Sequence, residues 1–248
     1  LLTCAGYLDN TVLLWDAVDG SLLKIMEGHY HDIWDAEYSP DGKYMLTLET
    51  ETWAVHVWDK DGRELRSLTY TNGSNGVPEC IQNVCFSHDS KYILVGTCGG
   101  ELVFLDLNGK PVRRFEGGDA SINEVAVSSK GKYVASCDDA GIIRVFKQDG
   151  TLLYELDGHG QKQVESIEFT PDEQFIVSGG HDNMAVLWDL SDGSNIAQLG
   201  PHDTEVRTIA ISSEGTIIAT AGPNSPVIKL WDINGDLIQD VKANYANE

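Results

Sequence analysis

The sequence predicts an all-β chain in which one four-stranded antiparallel sheet is reissued with every repeat, and three markers in register carry that prediction. Trp-Asp occurs at 15–16, 58–59, 188–189 and 231–232, with the weaker forms Leu105-Asp106 and Phe146-Lys147 filling the gap, so that successive steps are 43, 47, 41, 42 and 43 residues. A polar turn signal falls on the same beat: SPDGK at 39, SHDSK at 87, SSKGK at 128, TPDEQ at 170 and SSEGT at 212. Each Trp-Asp position is followed within a few residues by Asp-Gly, at 19, 61, 149 and 192, or by Asn-Gly, at 108 and 234.

Within a repeat the elements follow in order. VESIEF (164–169) alternates apolar and polar residues, as a half-buried first strand does, and TPDEQ turns the chain. FIVSGG makes a second strand, the turn at His181-Asp182 leads into AVLWDL as a third, and Asp192-Gly193 reverses the chain into NIAQL as a fourth. Asp-Gly and Asn-Gly tolerate the positive φ that tight hairpins between twisted strands require. No long stretch carries a helical period. The first unit opens directly on LLTCAG, a second strand in this pattern, and the last closes with DLIQDV and ANYANE, where another repeat would be due. The spacing divides one domain, 1–248, into a partial unit over 1–27 and five repeats over approximately 28–72, 73–116, 117–156, 157–199 and 200–248.

Composition narrows the function classes. Thirty-nine acidic against 17 basic residues leave a net charge of −22. Such a surface repels a phosphate backbone, which argues against nucleic acid, and steers basic surfaces toward it. No apolar run approaches the ~18 residues of a membrane span, and no signal peptide is visible. Five cysteines (Cys4, Cys80, Cys85, Cys98 and Cys137) form no CxxC pair and no dense spacing, which speaks against a disulfide scaffold or a zinc site and for a reducing, intracellular, cytoplasmic setting. Cys85 and Cys137 read as small buried hydrophobes.

The period, the Gly-His before a first strand, the Trp-Asp closing a third and the SPDG-type turn together resemble the WD-repeat β-propeller family, over essentially the whole chain. The resemblance implies a buried polar quartet in each well-formed blade. His159, Ser178, Asp182 and Trp188 match it fully. His29 with Trp58, and His202 with Trp231, keep the same 29-residue interval as His159 with Trp188. Thr220, Asp9 and Trp15 occupy the corresponding hydroxyl, carboxylate and indole positions elsewhere. Ser178, His181 and Asp182 lie within five positions and suggest a nucleophile triad, but a pattern repeated in other blades is structural, not a unique catalytic site. Some repeats depart from it: Gly117-Gly118 replaces Gly-His, Phe146-Lys147 replaces Trp-Asp, the Leu105 repeat lacks both His and Trp, Glu-Thr-Glu-Thr (49–52) stands at one turn Asp and Asn224-Ser225 at another. Those repeats are expected to rest on apolar packing and on their neighbours. Because a ring must close to hide its sheet edges, the chain is expected to be an arc of a longer polypeptide, a seven-bladed ring or half of a tandem pair, the alternative being a self-closed ring of six.

In that family partners sit on the loops entering first strands and on the turns between second and third strands. By position this implies Asp32 and Trp34, Cys80 and Gln82, Ser121 and Asn123, Gln163 and Glu165, and Glu205 and Arg207, with Leu8 and His181 beside the turn carboxylates. Exposed aromatics and Arg are the usual anchors, so Trp34 leads; packed over the mouth of the entrance, its ring would instead be a plug. His29-Tyr30-His31 lacks the third ligand that zinc needs. The turns DKDG (59–62), DLNG (106–109) and DING (232–235) lack the later carboxylates of a calcium loop, and no P-loop, GxSxG, HExxH or dinucleotide fingerprint appears. The reading is therefore a non-catalytic interaction scaffold without metal or cofactor, its partners basic or mixed-charge proteins or peptides within a larger complex. Two alternatives stand beside it: a regulatory or sensing domain of a larger signalling or assembly protein, and a hydrolase or lyase built on Asp32, Glu165, Glu205 and His181.

Overall fold

The computed structural model describes residues 2–4, 10–72 and 77–242, and every regular element among them is a β-strand. The strands form six antiparallel sheets in which neighbours in sequence are neighbours in space. The first sheet has three strands, Leu2–Cys4, Val12–Trp15 and Leu22–Met26. The second comprises Ile33–Tyr38, Tyr44–Glu49, Val55–Asp59 and Glu64–Leu68, and the third Ile81–Phe86, Tyr92–Thr97, Leu102–Asp106 and Pro111–Phe115. The fourth comprises Ile122–Val127, Tyr133–Asp138, Ile142–Lys147 and Leu152–Asp157. The fifth comprises Val164–Phe169, Phe175–Gly180, Ala185–Asp189 and Asn195–Leu199, and the sixth Thr208–Ile211, Ile217–Ala221, Val227–Asp232 and Leu237–Lys242.

The chain divides into two compact units, Leu1–Arg114 and Phe115–Glu248. In the first, Leu46, Leu48, Val55 and Val57 of the second sheet pack on Ile81, Val84, Ile93 and Val95 of the third. Val12, Leu14 and Met26 of the first sheet likewise pack on Met45 and Trp58 of the second. In the second unit Ala135, Ile143 and Val145 meet Ile167, Ile176 and Val186, and Val177 and Leu187 meet Ile209 and Ile218. Inner strands buried on both faces read as continuous apolar runs, whereas the fourth strand of the second sheet is exposed up to its closing Leu68. Each fully buried aliphatic side chain contributes about 1.5–3 kcal/mol.

The turn markers have a backbone cause. Gly62, Gly109, Gly193 and Gly235, the glycines of the Asp-Gly and Asn-Gly pairs, have φ of 70, 81, 77 and 91°. The preceding Trp-Asp carboxylate ties the same turn: Asp59 Oδ1 accepts the N–H of Asp61 (3.0 Å) and of Arg63 (2.9 Å), and Asp232 Oδ1 accepts those of Asn234 and Asp236 (both 2.9 Å). These N–H donors hold both carboxyls below the usual carboxylate range.

One expectation is corrected. Cys80 and Cys98, 18 residues apart, form a disulfide with their Cα atoms 5.4 Å apart. Strand register causes this: Ile81 pairs with Thr97, so the next residue outward on each strand lies opposite the other, and Cys98 N–H bonds Cys80 O at 2.8 Å. Spacing in sequence carries no trace of that register. Cys137 is buried as expected, while Cys85 is only half-buried.

Candidate functional site

The fifth sheet assembles the polar quartet. Trp188 Nε1 donates to Ser178 Oγ (2.9 Å), Ser178 Oγ meets His159 Nε2 (2.7 Å), and His159 Nδ1 meets Asp182 Oδ1 (2.9 Å). His159 and Ser178 are buried. A Cβ on Gly158 would stand 2.4 Å from the Trp188 ring, which is why the residue before this His has no side chain. In the sixth sheet Thr220 replaces the serine, 2.7 Å from His202 Nε2 and 2.8 Å from Trp231 Nε1. His202 Nδ1 there turns to the Asn183 carbonyl. In the second sheet Thr47 joins His29 Nε2 (2.8 Å) and Trp58 Nε1 (3.0 Å). In the first, Trp15 Nε1 donates to Thr3 Oγ1 at 2.8 Å. Asp9 and Leu8 lie outside the described residues.

The departing repeats do not rest on apolar packing alone. Where Gly117-Gly118 replaces Gly-His, Arg144 enters from the third strand. Its Nη1 reaches Asp138 Oδ2 at 2.6 Å and its Nε reaches Glu155 Oε1 at 2.9 Å, while its guanidinium fills the space over Gly118. In the third sheet Tyr70 donates to Glu101 Oε2 at 3.0 Å, and Arg114 bonds both Tyr70 and Glu101. Burial, with the Glu101 carboxylate, pushes the Tyr70 hydroxyl up to about 12. In the second sheet Glu49 accepts the backbone N–H groups of Tyr30 and His31 and the Thr52 hydroxyl. Burial raises the Glu49 carboxyl, but these donors outweigh it and hold the group below its ordinary value. His29, desolvated and facing His56, is pushed down to about 4 and stays neutral.

The residues expected at strand entrances share a backbone device. Pairing shifts register between Ile33 and Asp35, Ile81 and Asn83, Ile122 and Glu124, and Val164 and Ser166. The skipped residues are Trp34, Gln82, Asn123 and Glu165: each first strand bulges at that point and aims one side chain out of the ladder. In the first unit Trp34 is 66% exposed and lines a cavity of about 340 Å³ with Gln82, Ile81, Trp53, Glu49 and Glu51. Glu51 and Trp53 hold φ of 62 and 56°, a conformation that a bulky residue rarely adopts and that functional sites concentrate. Asp32 carries the backbone of this entrance, its carbonyl accepting Thr50 N–H at 2.8 Å.

In the second unit the expected residues are partly engaged with one another. Asn123 Nδ2 and Gln163 Nε2 both donate to Asp139 Oδ1, at 2.9 and 2.8 Å. His181 Nε2 lies 2.5 Å from Glu165 Oε1, a close contact without hydrogen-bond alignment. Arg207 Nε lies 3.4 Å from Glu205 Oε1, and its side chain remains about half exposed. Among the described residues no three His, Cys, Asp or Glu side chains are placed to share a metal ion.

A family model described as "WD domain, G-beta repeat" matches residues 20–59, 109–147, 150–189 and 193–232, well over half the chain. The chain belongs to the WD-repeat family. Striatin-4 of Mus musculus is 23% identical over 224 residues, covering 85% of this chain and 29% of the relative. WD repeat-containing protein 1 of Xenopus tropicalis is 25% identical over 233 residues, covering 90% and 37%. Pre-mRNA-processing factor 19 homolog 2 of Arabidopsis thaliana is 22% identical over 230 residues, covering 92% and 35%. The WD-repeat chain thus spans about a third of the length of these relatives.

Against the WD-repeat pattern, sequence reasoning passed over Trp53, Glu49, Glu51 and Asp139. A signal existed for the first three: the Glu-Thr-Glu-Thr-Trp stretch sits where a turn Asp is due. Asp139 had none, because its role depends on Asn123 and Gln163 arriving from two different strand entrances.

Proposed function

We propose that this WD-repeat chain is a non-catalytic interaction scaffold that docks basic or mixed-charge protein segments on the bulged strand entrances. The cavity between Trp34 and Trp53 carries the reading. An exposed indole, a second indole on a strained turn and the carboxylates of Glu49 and Glu51 make a site that suits a cationic side chain flanked by apolar ones. Net charge of −22 favours approach of such a partner, within the larger complex that the sequence reading expects. The hydrolase reading is weaker. Glu165 and His181 lie against each other, and Glu205 pairs with Arg207, so these side chains are already engaged with neighbours. A regulatory or sensing role in a larger signalling or assembly protein uses the same docking surface and differs only in context. The intracellular, cytoplasmic setting expected from the sequence belongs to this proposal, and there the Cys80–Cys98 pair would meet reducing conditions.

The test is a fluorescence-anisotropy titration with a labelled peptide of alternating arginine and leucine. Saturable binding that weakens about ten-fold in a folded Trp34→Ala protein is the expected result, since a central aromatic anchor contributes on that order. A folded Trp34→Ala protein that binds as the parent does would remove the assignment of the first unit's site. Arg207→Ala asks the same of the second unit with a peptide of mixed charge.

A further inference from the structure

The fourth sheet breaks the acidic pattern of its siblings at two places on the same end. Other repeats put an acid third in the SPDGK-type turn, and Asp41 and Asp89 there hold the lysines two residues on: Lys43 Nζ–Asp41 Oδ2 is 2.8 Å and Lys91 Nζ–Asp89 Oδ2 is 3.0 Å. In the fourth sheet that acid is Lys130, so Lys132 loses its carboxylate and its ammonium instead sits 4.6 Å over the Tyr133 ring. Lys147 replaces the hairpin Asp that at 59, 106, 189 and 232 accepts turn N–H groups. Among the described residues neither Lys132 nor Lys147 has a carboxylate oxygen within ion-pair distance, whereas Lys43, Lys60, Lys91 and Lys229 each do.

Both lysines open onto one cavity of about 630 Å³, walled by Tyr133, Tyr154, Leu153 and Leu190. Asp149 also borders it but turns an oxygen to its own hairpin, accepting Thr151 N–H at 2.9 Å. Neighbouring acids are similarly committed. Glu173 takes the Ser128 hydroxyl at 2.6 Å and Lys130 N–H at 2.8 Å, and Asp189 takes Ser191 N–H at 2.7 Å. Lys130, next in sequence to the lining residue Gly131, acts on the carboxylates of Asp172 and Glu173. The lining thus sets two lysines against the single carboxylate of Asp149, between aromatic and aliphatic walls, on a chain of net charge −22.

We infer that this cavity is a second docking site, taking the carboxylate of an acidic side chain, with an apolar neighbour, from a segment of a partner protein. A carboxylate fits better than a phosphate: the cavity offers two point-charge ammonium groups and no guanidinium fork or array of backbone N–H groups. A polyanion such as nucleic acid would meet the acidic surroundings, whereas one carboxylate held between Lys132 and Lys147 is screened from them beyond about 8 Å at physiological salt. The site is independent of Trp34, and its partner has the opposite charge.

The experiment is an anisotropy titration with a fluorescein-labelled peptide of alternating glutamate and leucine, using the chain as it stands. Saturable, salt-sensitive binding is expected, weakened about ten-fold by Lys147→Asp and less by Lys130→Asp, because each change sets a like charge against the incoming carboxylate. Both changes restore residues that sibling repeats carry at the same positions, so the fold accommodates them, and unchanged thermal unfolding verifies it. Trp34→Ala should leave this titration unmoved, which separates failure of this site from failure of the cation-binding one. Absence of saturation, or equal binding by folded Lys147→Asp protein, would overturn the inference. Displacement of the peptide by inorganic phosphate alone would overturn the carboxylate assignment.

Discussion

Ser178 illustrates how a single hydroxyl can tie two strands to a loop and, through the imidazole, to a turn. Trp188 N–H donates to its oxygen; the Asp182 carboxylate only accepts, which places the imidazole proton on Nδ1 and leaves Nε2 to accept the hydroxyl proton. Removing that hydroxyl strands two buried groups at once. Ser178→Ala should therefore cost about 1–3 kcal/mol of stability in urea unfolding. Ser178→Thr should recover most of it, because Thr47 and Thr220 fill the same role in the second and sixth sheets. A hydroxyl-free variant as stable as the parent would deny the network any energetic weight. The quartet was legible in the sequence through the family resemblance, because all its members belong to one repeat and its His–Trp interval recurs in two others. Arg144 was not: replacing the missing His needed a side chain from another strand, and nothing in its own spacing marks it.

Strands and turns add a pH dependence that no motif announces. A first strand offers unpaired N–H groups along one edge, and a carboxylate on the adjacent first strand answers some of them. Glu37 Oε1 accepts Phe86 N–H, Glu124 Oε2 accepts Ile167 N–H, and Glu168 bonds the Ile211 backbone in the same manner. Burial pushes Glu37 up to about 8 and Glu168 up to about 7 from an ordinary 4.5. A carboxyl raised in the folded state binds more protons there than in the unfolded chain, so its contribution is complete below pH 4.5 and is lost as pH rises through 7 to 8. Below pH 6.5 His29 and His202, held neutral mainly by burial, act in the opposite sense. The melting midpoint should thus fall between neutral and mildly alkaline pH, and Glu37→Gln with Glu168→Gln should flatten that fall, since the amide oxygen still accepts the N–H. An identical slope in parent and variant would mean that these carboxyls are not desolvated. The bulges at Trp34, Gln82, Asn123 and Glu165 belong to this level too. Sequence placed those residues at strand entrances, but which one the ladder skips depends on the register of the strand opposite.

For the chain as a whole, charge is the dominant long-range term. With a net charge of −22 and many carboxylates kept ionised by turn N–H donors, self-repulsion opposes compaction. Raising salt through the physiological range shortens the screening length to about 8 Å and should raise the unfolding midpoint, a differential-scanning measurement. A midpoint indifferent to salt would mean that the acids are spread too evenly for repulsion to matter. The same field makes the Lys132–Lys147 cavity conspicuous, because Lys147 stands where sibling repeats carry an acid and Lys132 has lost the carboxylate that Lys43 and Lys91 keep.

Repeat period, sheet composition and turn chemistry follow from residue order alone, because each is a local pattern satisfied within some forty positions and printed several times over, and the quartet around Ser178 followed from the family resemblance which that order carries. Partnerships across strands and sheets do not. The Cys80–Cys98 bridge, Arg144 over Gly118, the Glu37 contact with Phe86 and the Trp34–Trp53 cavity all join residues whose proximity exists only after strands pair in register and sheets stack. A one-residue slip of a strand would turn each of these side chains to the other face, so packing, not spacing, selected them.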